Sequence, residues 1–212
     1  IKGEIVGNNI QVDANELEKI LCTQNKSRAS VARDINVESK VSVNLASGDA
    51  VAINTVGTTM AKLTPTPTPA IDEQGYYMLG EVNGNGWDNT NPEWMTKVSD
   101  GVYQLKVTTE KDKNWFKFYE GSKFVSGDWD AINSGALGCK ENGCEDASGY
   151  IYFTGDKWGE LQTIVIPGAG TWIVTLDMNN LSYSVGKPIL YMAGDANGWK
   201  QIDVLNSDDG VH

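Results

Sequence analysis

Histidine, basic residues, cysteine and long apolar runs are all scarce in this sequence of 212 residues. The one histidine is the last residue, His212, so no Ser-His-Asp or Cys-His arrangement is available in the body of the chain. No apolar run approaches the ~18 residues that a membrane-spanning helix needs. The 17 basic residues are thinly spread and the net charge is −11, so we expect no nucleic-acid partner, and binding to anionic lipid is disfavoured.

The patterns that enzymes and cofactor sites need are also missing. The glycines between residues 80 and 86 do not open a helix after a strand, so they indicate turns rather than a phosphate-binding loop. A glycosidase would need two paired carboxylates, and no acidic pair stands out. Two nearby cysteines without a histidine do not suffice for zinc. The sequence therefore predicts no catalysis, no cofactor and no metal.

The three cysteines leave two interpretations open. Cys22 is isolated, whereas Cys139 and Cys144 lie in one short polar segment. Either all three are free thiols, or Cys139 and Cys144 close a small disulfide loop of the kind that an oxidising compartment allows. The same segment, residues 139–146, is acidic; it is either simply solvated or a calcium loop, although its spacing is not that of an EF-hand.

Alternating threonine and proline at residues 64–69 divide the chain with an extended, stiff spacer. Before the spacer, a capping box at Asp13 predicts a short helix that ends near Thr23. Two strands, at 36–45 and 50–63, follow and are joined by a turn at 47–49. We expect this part to pack separately as an incomplete sandwich, with any preceding strands and signal segment upstream of Ile1.

After the spacer, short stretches with period-2 alternation predict an all-β fold, an antiparallel sandwich without a convincing helix. The predicted strands cover residues 76–80, 102–109, 114–119, 162–166, 171–177 and 181–185. Their inward positions predict a core that contains Phe116, Phe118, Trp172 and Val174.

An internal repeat predicts a second copy of this domain. The Tyr-Met-x-Gly motif that leads to a Gly-Trp pair at 77–87 recurs at 191–199, two residues shorter, and residues 99–102 match 208–211. The second copy starts near Pro188 and stops within its second strand. Because one hairpin cannot bury a core, we expect the natural protein to continue beyond His212.

Seven tryptophans, several of them in polar loops, point towards carbohydrate binding. An indole ring offers a flat apolar surface to the C–H face of a sugar, while polar groups bond its hydroxyls. Trp87 and Trp129 have the loop surroundings of such a platform, although Trp87 could instead plug the domain edge. Trp94 and Trp158 lie in loops with weaker context.

Lys117 is the polar group that the strand pattern places nearest to such a surface. Alternation puts it on the outer face of its strand together with Trp115. It is either a donor to sugar hydroxyls or an ordinary solvated lysine.

Several segments together resemble the starch-binding modules of the SusE/SusF outer-membrane lipoproteins of Bacteroidetes. They are residues 77–87, 95–97, 101–103, 116–118, 128–129 and 168–177, and residues 10–69 resemble the tail of that family's N-terminal immunoglobulin-like domain. The resemblance implies tandem β-sandwich domains in three parts. Residues 1–69 would be the end of the immunoglobulin-like domain with its linker, 70–187 a carbohydrate-binding module, and 188–212 the start of another.

The resemblance also implies a function and a site. In that family a pair of aromatic residues shapes an α-glucan arc, which corresponds here to Trp87 and Trp129. Trp94 is a further candidate because of its own loop position. A nearby lysine corresponds to Lys117 or Lys123. The implied role is non-catalytic polysaccharide binding at the outer membrane in support of glycan uptake. The further partners it implies are other outer-membrane uptake proteins.

The resemblance also implies a lipid anchor, and it leaves an alternative function open. Its lipid anchor would be a cysteine upstream of this sequence, because Cys22 falls inside the predicted helix. The alternative function is an architectural β-spacer or adhesin whose loop tryptophans merely pack.

Overall fold

The computed structural model describes residues 1–7, 9–48, 50–192, 195, 199 and 203–205. These form two compact units, residues 1–28 with 69–212 and residues 29–68. No helix within the described ranges is long and apolar enough to cross a membrane. Asp49 of the predicted turn and most of the second repeat copy, including 208–211, lie outside the described residues.

The described part of the chain is built mainly from strands, with two α-helices and one 3-10 turn. The helices are α1 (Ala14–Asn25) and α2 (Trp129–Ser134), and the 3-10 turn covers Gly121–Lys123. The strands are β1 (Gly3–Val6), β2 (Asn9–Val12), β3 (Arg33–Asn44), β4 (Ala50–Leu63), β5 (Tyr76–Gly80), β6 (Glu93–Trp94), β7 (Thr96–Ser99), β8 (Val102–Thr109), β9 (Lys113–Glu120), β10 (Ala136–Gly138), β11 (Ser148–Tyr150), β12 (Tyr152–Phe153), β13 (Ile164–Pro167), β14 (Gly170–Asp177), β15 (Ser182–Gly186), β16 (Leu190–Met192) and β17 (Asp203–Leu205).

The larger unit contains a sandwich of two antiparallel sheets, which confirms the predicted all-β fold. One sheet has the order β12-β10-β9-β5-β6, with β13 also paired to β9, and the other has the order β11-β15-β14-β8-β7. One contiguous core lies between them and takes apolar side chains from both. Phe116, Phe118 and Val174 are completely buried there, as predicted. Trp172 is only partly buried and packs at the edge of this core, with the Lys187 ammonium 3.9 Å from its ring centroid.

Helix α1 begins and ends where its sequence signals lie. Asp13 caps it by accepting the Glu16 N–H at 2.8 Å, and Lys26 ends it in the left-handed conformation with φ 50°. The helix belongs to the larger unit and packs on the sandwich. The expectation that everything before the spacer packs separately is therefore wrong for this helix.

The smaller unit is a long hairpin. Strands β3 and β4 pair antiparallel from Arg33↔Leu63 to Asn44↔Ala50, with an irregularity between Ser39 and Val41. The two predicted strands are thus confirmed.

Helix α2 is a correction to the prediction that no helix follows the spacer. It has six residues, and the Asp128 side chain caps it by accepting the N–H groups of Asp130 and Ala131. Trp129, expected in an open loop, is its first residue.

Candidate functional site

The outer face of the first sheet carries a second apolar cluster, separate from the core. Alternation along β5 and β9 sends Tyr76 and Phe118 inward, and Tyr77 and Tyr119 outward. We call the outward set the outer-face cluster. Its buried members are Tyr77, Leu79, Tyr119, Ile132 and Ala136, and its half-buried members are Trp87, Phe124 and Leu161.

Trp87 packs against this cluster at the end of a tight loop. Its backbone is left-handed, with φ 67°, and its N–H donates to the Gly80 carbonyl at 3.4 Å. Asn85 shapes the loop, because its amide donates to the Asn91 carbonyl at 2.7 Å and accepts from the Gly80 N–H at 3.4 Å. Part of the indole stays exposed. The structure therefore combines the two interpretations of Trp87, since one part of the ring packs and another faces solvent.

Trp94 covers the rim of the same cluster. Its ring centroid lies 5.1 Å from that of Tyr77 and 5.9 Å from that of Phe124, and 45% of the residue is exposed. Aromatic neighbours thus support one side of the indole and leave the other open.

Trp129 is the first residue of helix α2, which touches the cluster through another residue. Ile132, almost one turn later, is completely buried among the cluster residues, while Trp129 itself is 39% exposed. The Gly127 N–H donates to the Asn89 carbonyl at 3.4 Å, which ties the loop before α2 to the loop of Trp87. Trp87 and Trp94 therefore contact the outer-face cluster, and Trp129 lies exposed on a neighbouring helix.

Lys117 lies on the outward face of β9, directly opposite Leu79 of the cluster. It is half-buried, and this desolvation lowers the pKa of its ammonium group. No described residue gives the ammonium a hydrogen bond or an ion pair. The nearby Cys139 acts in the opposite direction to desolvation and raises this pKa.

Lys123 has a different position. It is exposed, and its stem packs against Gly135 at the far end of α2 from Trp129. The nearby Lys123 also opposes the rise that burial causes in the pKa of Glu120. Of the two candidate lysines, Lys117 is therefore the one that lies directly opposite a residue of the outer-face cluster.

Trp158 is not available to a ligand. It is 8% exposed and sits under α1, where its Nε1 donates to Glu18 Oε1 at 2.9 Å. The Arg28 guanidinium stacks 3.9 Å from its ring centroid. Its loop context suggested exposure, but the helix covers it.

The acidic segment at 139–146 forms ion pairs rather than a cation site. Glu145 pairs with Lys113, and Glu141 with Lys140 at 3.4 Å. Within the described part of the chain no three acidic, histidine or cysteine groups converge as metal ligands. Cys139 and Cys144 are both buried and both carry free thiols.

Sequence reasoning missed the aromatic support beneath the site, namely Tyr77, Tyr119 and Phe124. Tyr77 and Tyr119 stack with their centroids 5.4 Å apart, and Phe124 meets Tyr77 edge-on. A signal was present, because an apolar residue at an outward strand position indicates a face that something covers.

Comparisons with known proteins agree with one another. A family model described as "SusF, first starch specific CBM" matches residues 70–187, and one described as "Outer membrane protein SusF, N-terminal domain" matches residues 1–65. The outer membrane protein SusF of Bacteroides thetaiotaomicron is 28% identical over an alignment 214 residues long. The alignment covers 92% of this chain and 41% of that protein.

The crystal structure of SusF from Bacteroides thetaiotaomicron has the same fold. The TM-score is 0.68 at 24% identity, over 94% of this chain and 44% of that one. This chain thus spans less than half the length of these relatives. Because the family model for the first module covers more than half of the chain, this protein belongs to the SusF family.

Proposed function

We propose that this chain binds starch or a related α-glucan without cleaving it, at the bacterial outer-membrane surface and in support of glycan uptake. The support is the family model, whose description names a starch-specific module over residues 70–187, and the relative's name, which places that protein in the outer membrane. The partners are oligo- or polysaccharides and other outer-membrane uptake proteins, with the chain held there as a lipoprotein. We propose residues 1–69, 70–187 and 188–212 as the domain organisation, with helix α1 of the first part packed on the second.

The observation that carries the proposal is the backbone of Trp87. A left-handed conformation costs an L-residue about 1–2 kcal/mol, and it is an outlier for a bulky side chain. Trp199, the equivalent residue of the second repeat copy, has the same conformation with φ 61°. Strain of this kind clusters at active sites and ligand clamps, where the surrounding structure holds it in place. Here it orients an indole at the same point of both copies.

The chemistry of the site fits a sugar chain. Trp87 and Trp129 provide two apolar surfaces for the C–H faces of glucose units, and Trp94 extends the rim. Lys117 lies opposite Leu79 of the outer-face cluster, as a donor without an acceptor among the described residues. We assign it to sugar hydroxyls and assign Lys123 a secondary, outer position.

Catalysis has no support in the carboxyl groups near this face. Hydrolysis of a glycosidic bond needs a carboxylic acid with a raised pKa beside a second carboxylate. The Lys111 ammonium hydrogen-bonds Glu81 at 2.6 Å and lowers its pKa. Glu120, whose pKa is raised by burial, alternates with Tyr119 and so faces away from the outer-face cluster.

Calorimetric titration of the chain with maltoheptaose tests the proposal. Lys117→Met keeps most of the apolar stem and removes the donor. Hydrogen bonds to charged groups contribute about 1.5–3 kcal/mol, so the affinity should fall roughly ten- to hundred-fold. Trp129→Ala should cost about 1–3 kcal/mol of binding, on a stacking scale measured for nucleic-acid bases.

The matched control is Lys106→Met. Lys106 is an exposed lysine of β8 in the other sheet, so its removal should leave the affinity unchanged. If the unsubstituted chain binds neither maltoheptaose nor amylopectin, the spacer function replaces this one. Equal affinity of Lys117→Met, Trp129→Ala and the unsubstituted chain would move the site elsewhere.

A further inference from the structure

The thiols of Cys139 and Cys144 meet at one point in the sandwich. Both Sγ atoms lie 3.0 Å from the carbonyl oxygen of Glu141. Sequence spacing alone left their relation open. The structure brings the two sulfur atoms close together, on the same carbonyl oxygen.

The backbone holds both cysteines on the same stretch of chain. The Cys139 N–H donates to the Gln162 carbonyl at 2.9 Å, and the Gln162 N–H donates back at 2.6 Å. The Cys144 carbonyl accepts from the Val165 N–H at 2.8 Å. The segment between the cysteines is therefore fixed at both ends, so their proximity is built into the fold.

A cavity of about 200 Å³ opens onto both thiols. Tyr150, Tyr152 and Tyr183 line it together with Cys139 and Cys144. Cys22 lies elsewhere, in α1, where it packs against Tyr152 and Trp158. The cysteines thus divide into a convergent pair and a single residue.

We propose that Cys139 and Cys144 are a covalent modification site, where a small-molecule disulfide oxidises them to an intrachain disulfide bond as the chain folds. One cysteine thiolate attacks a sulfur atom of the small disulfide, forms a mixed disulfide and releases one small thiolate. The second cysteine thiolate then attacks the bonded cysteine sulfur, closes the Cys139–Cys144 bond and releases the second small thiolate. The cysteines lose two protons and two electrons, and the small disulfide gains both as two thiols.

Burial of the thiols determines whether the disulfide bond can form before or after folding. It raises the pKa of the Cys139 thiol to about 12, so the folded, reduced protein has almost no reactive thiolate there. Oxidation should accompany folding, when the thiols are still exposed, and be slow once the sandwich has closed.

The bond would stiffen a loop that packs on the outer sheet face. A Cβ at Gly143 would lie 2.8 Å from Trp115 Cη2, so the loop backbone touches that ring. Closing a loop of this size should raise the melting temperature by roughly 4–8 °C. The inference is independent of the ligand, because it concerns the covalent state of the chain alone.

Peptide mapping of the full chain decides the matter. The chain is refolded with oxidised and reduced glutathione, then denatured without reductant, alkylated and digested with trypsin. Cleavage after Lys140 separates the two cysteines, so a bond appears as peptides 124–140 and 141–157 held together. We expect that linked pair, lighter than the two free peptides by two hydrogen atoms, and an alkylated Cys22.

Two results would overturn the proposal: alkylation of both Cys139 and Cys144 in the oxidised sample, or linkage of either one to Cys22 or to a second chain. Cys144→Ser is the matched variant. It should lose the linked peptides and the oxidation-dependent rise in melting temperature, while Cys139 becomes available to alkylation in denaturant. Should Cys144→Ser fail to fold, the peptide map of the unsubstituted chain still gives the answer.

Discussion

Two regions of the sandwich carry loop tryptophans with similar polar sequence surroundings. The tryptophan of one region is buried, and those of the other are exposed. Around Trp158, helix α1 supplies Glu18 and the segment after it supplies Arg28, and the indole is covered on its face and at its Nε1. Around the outer-face cluster, Trp94 and Trp129 keep 45% and 39% of their surface exposed. The same residue type is structural in the first region and open to a ligand in the second.

The difference shows what decides the role of a loop tryptophan. At Trp158 the partners lie more than a hundred positions away in sequence, with 140 between it and Glu18. At the outer-face cluster the support comes from nearby strands, which hold the rings from below. The exposure of a loop tryptophan therefore depends on whether a segment distant in sequence packs over its ring. The residues around the tryptophan do not predict this packing.

Removing Arg28 should have the largest effect on stability. Its guanidinium holds Asp156 with two hydrogen bonds, 2.8 and 2.9 Å long, and the two side chains are 5% and 1% exposed. Arg28→Ala leaves a buried carboxylate that keeps the Trp158 N–H but has lost its cationic partner, which costs about 3–5 kcal/mol. Urea unfolding measures this loss.

The double variant Arg28→Met, Asp156→Leu is the control for that prediction. Because it removes both charges, it should be much more stable than the single variant. A loss below about 1 kcal/mol for Arg28→Ala would mean that α1 does not hold the sandwich as described.

Trp158→Ala and Trp129→Ala should give opposite results in two measurements, urea unfolding and calorimetric titration with maltoheptaose. A buried tryptophan costs about 3–5 kcal/mol of folding free energy when truncated, so Trp158→Ala should be strongly destabilised. Its folded fraction should keep the affinity for maltoheptaose. Trp129→Ala should change the stability by about 0.5 kcal/mol, as is usual for surface positions, and lose affinity. If both variants behave alike, the comparison between the two regions fails.

Substitutions of Trp87 should have the smallest effect on the free energy of unfolding, and they test the backbone strain in the outer region specifically. Trp87→Gly and Trp87→Ala both remove the indole, but only glycine adopts the left-handed backbone freely. Trp87→Gly should therefore be more stable than Trp87→Ala by about 1 kcal/mol in urea unfolding. Greater stability of the alanine variant would mean that the loop relaxes to another conformation and that the strain argument is wrong.

Much of the fold follows from sequence because local signals and period-2 alternation decide it. Strands β5 and β8 have the predicted bounds, and the outward position of Lys117 follows from its buried neighbours Phe116 and Phe118. Helix α2 was missed since six residues are too few for helical periodicity, leaving only the cap at Asp128 as a signal.

The site was predictable only in part, because packing between distant segments has no local signature. The loop positions of Trp87, Trp94 and Trp129 were visible in the sequence. Contacts between separate loops, such as that between Gly127 and Asn89, were not visible there. The position of Lys117 opposite Leu79 likewise required the pairing of β9 with β5.

The central claim is that an α-glucan binds on the outer-face cluster. The indole N–H signals of the seven tryptophans, followed by ¹H–¹⁵N NMR during titration with maltoheptaose and assigned with single Trp→Phe variants, test it most directly. The signals of Trp87, Trp94 and Trp129 should shift together with one dissociation constant. Those of Trp158, bonded to Glu18, and Trp172, in the core edge, should stay in place. Shifts confined to Trp158 or Trp172, or none at all, would contradict the claim.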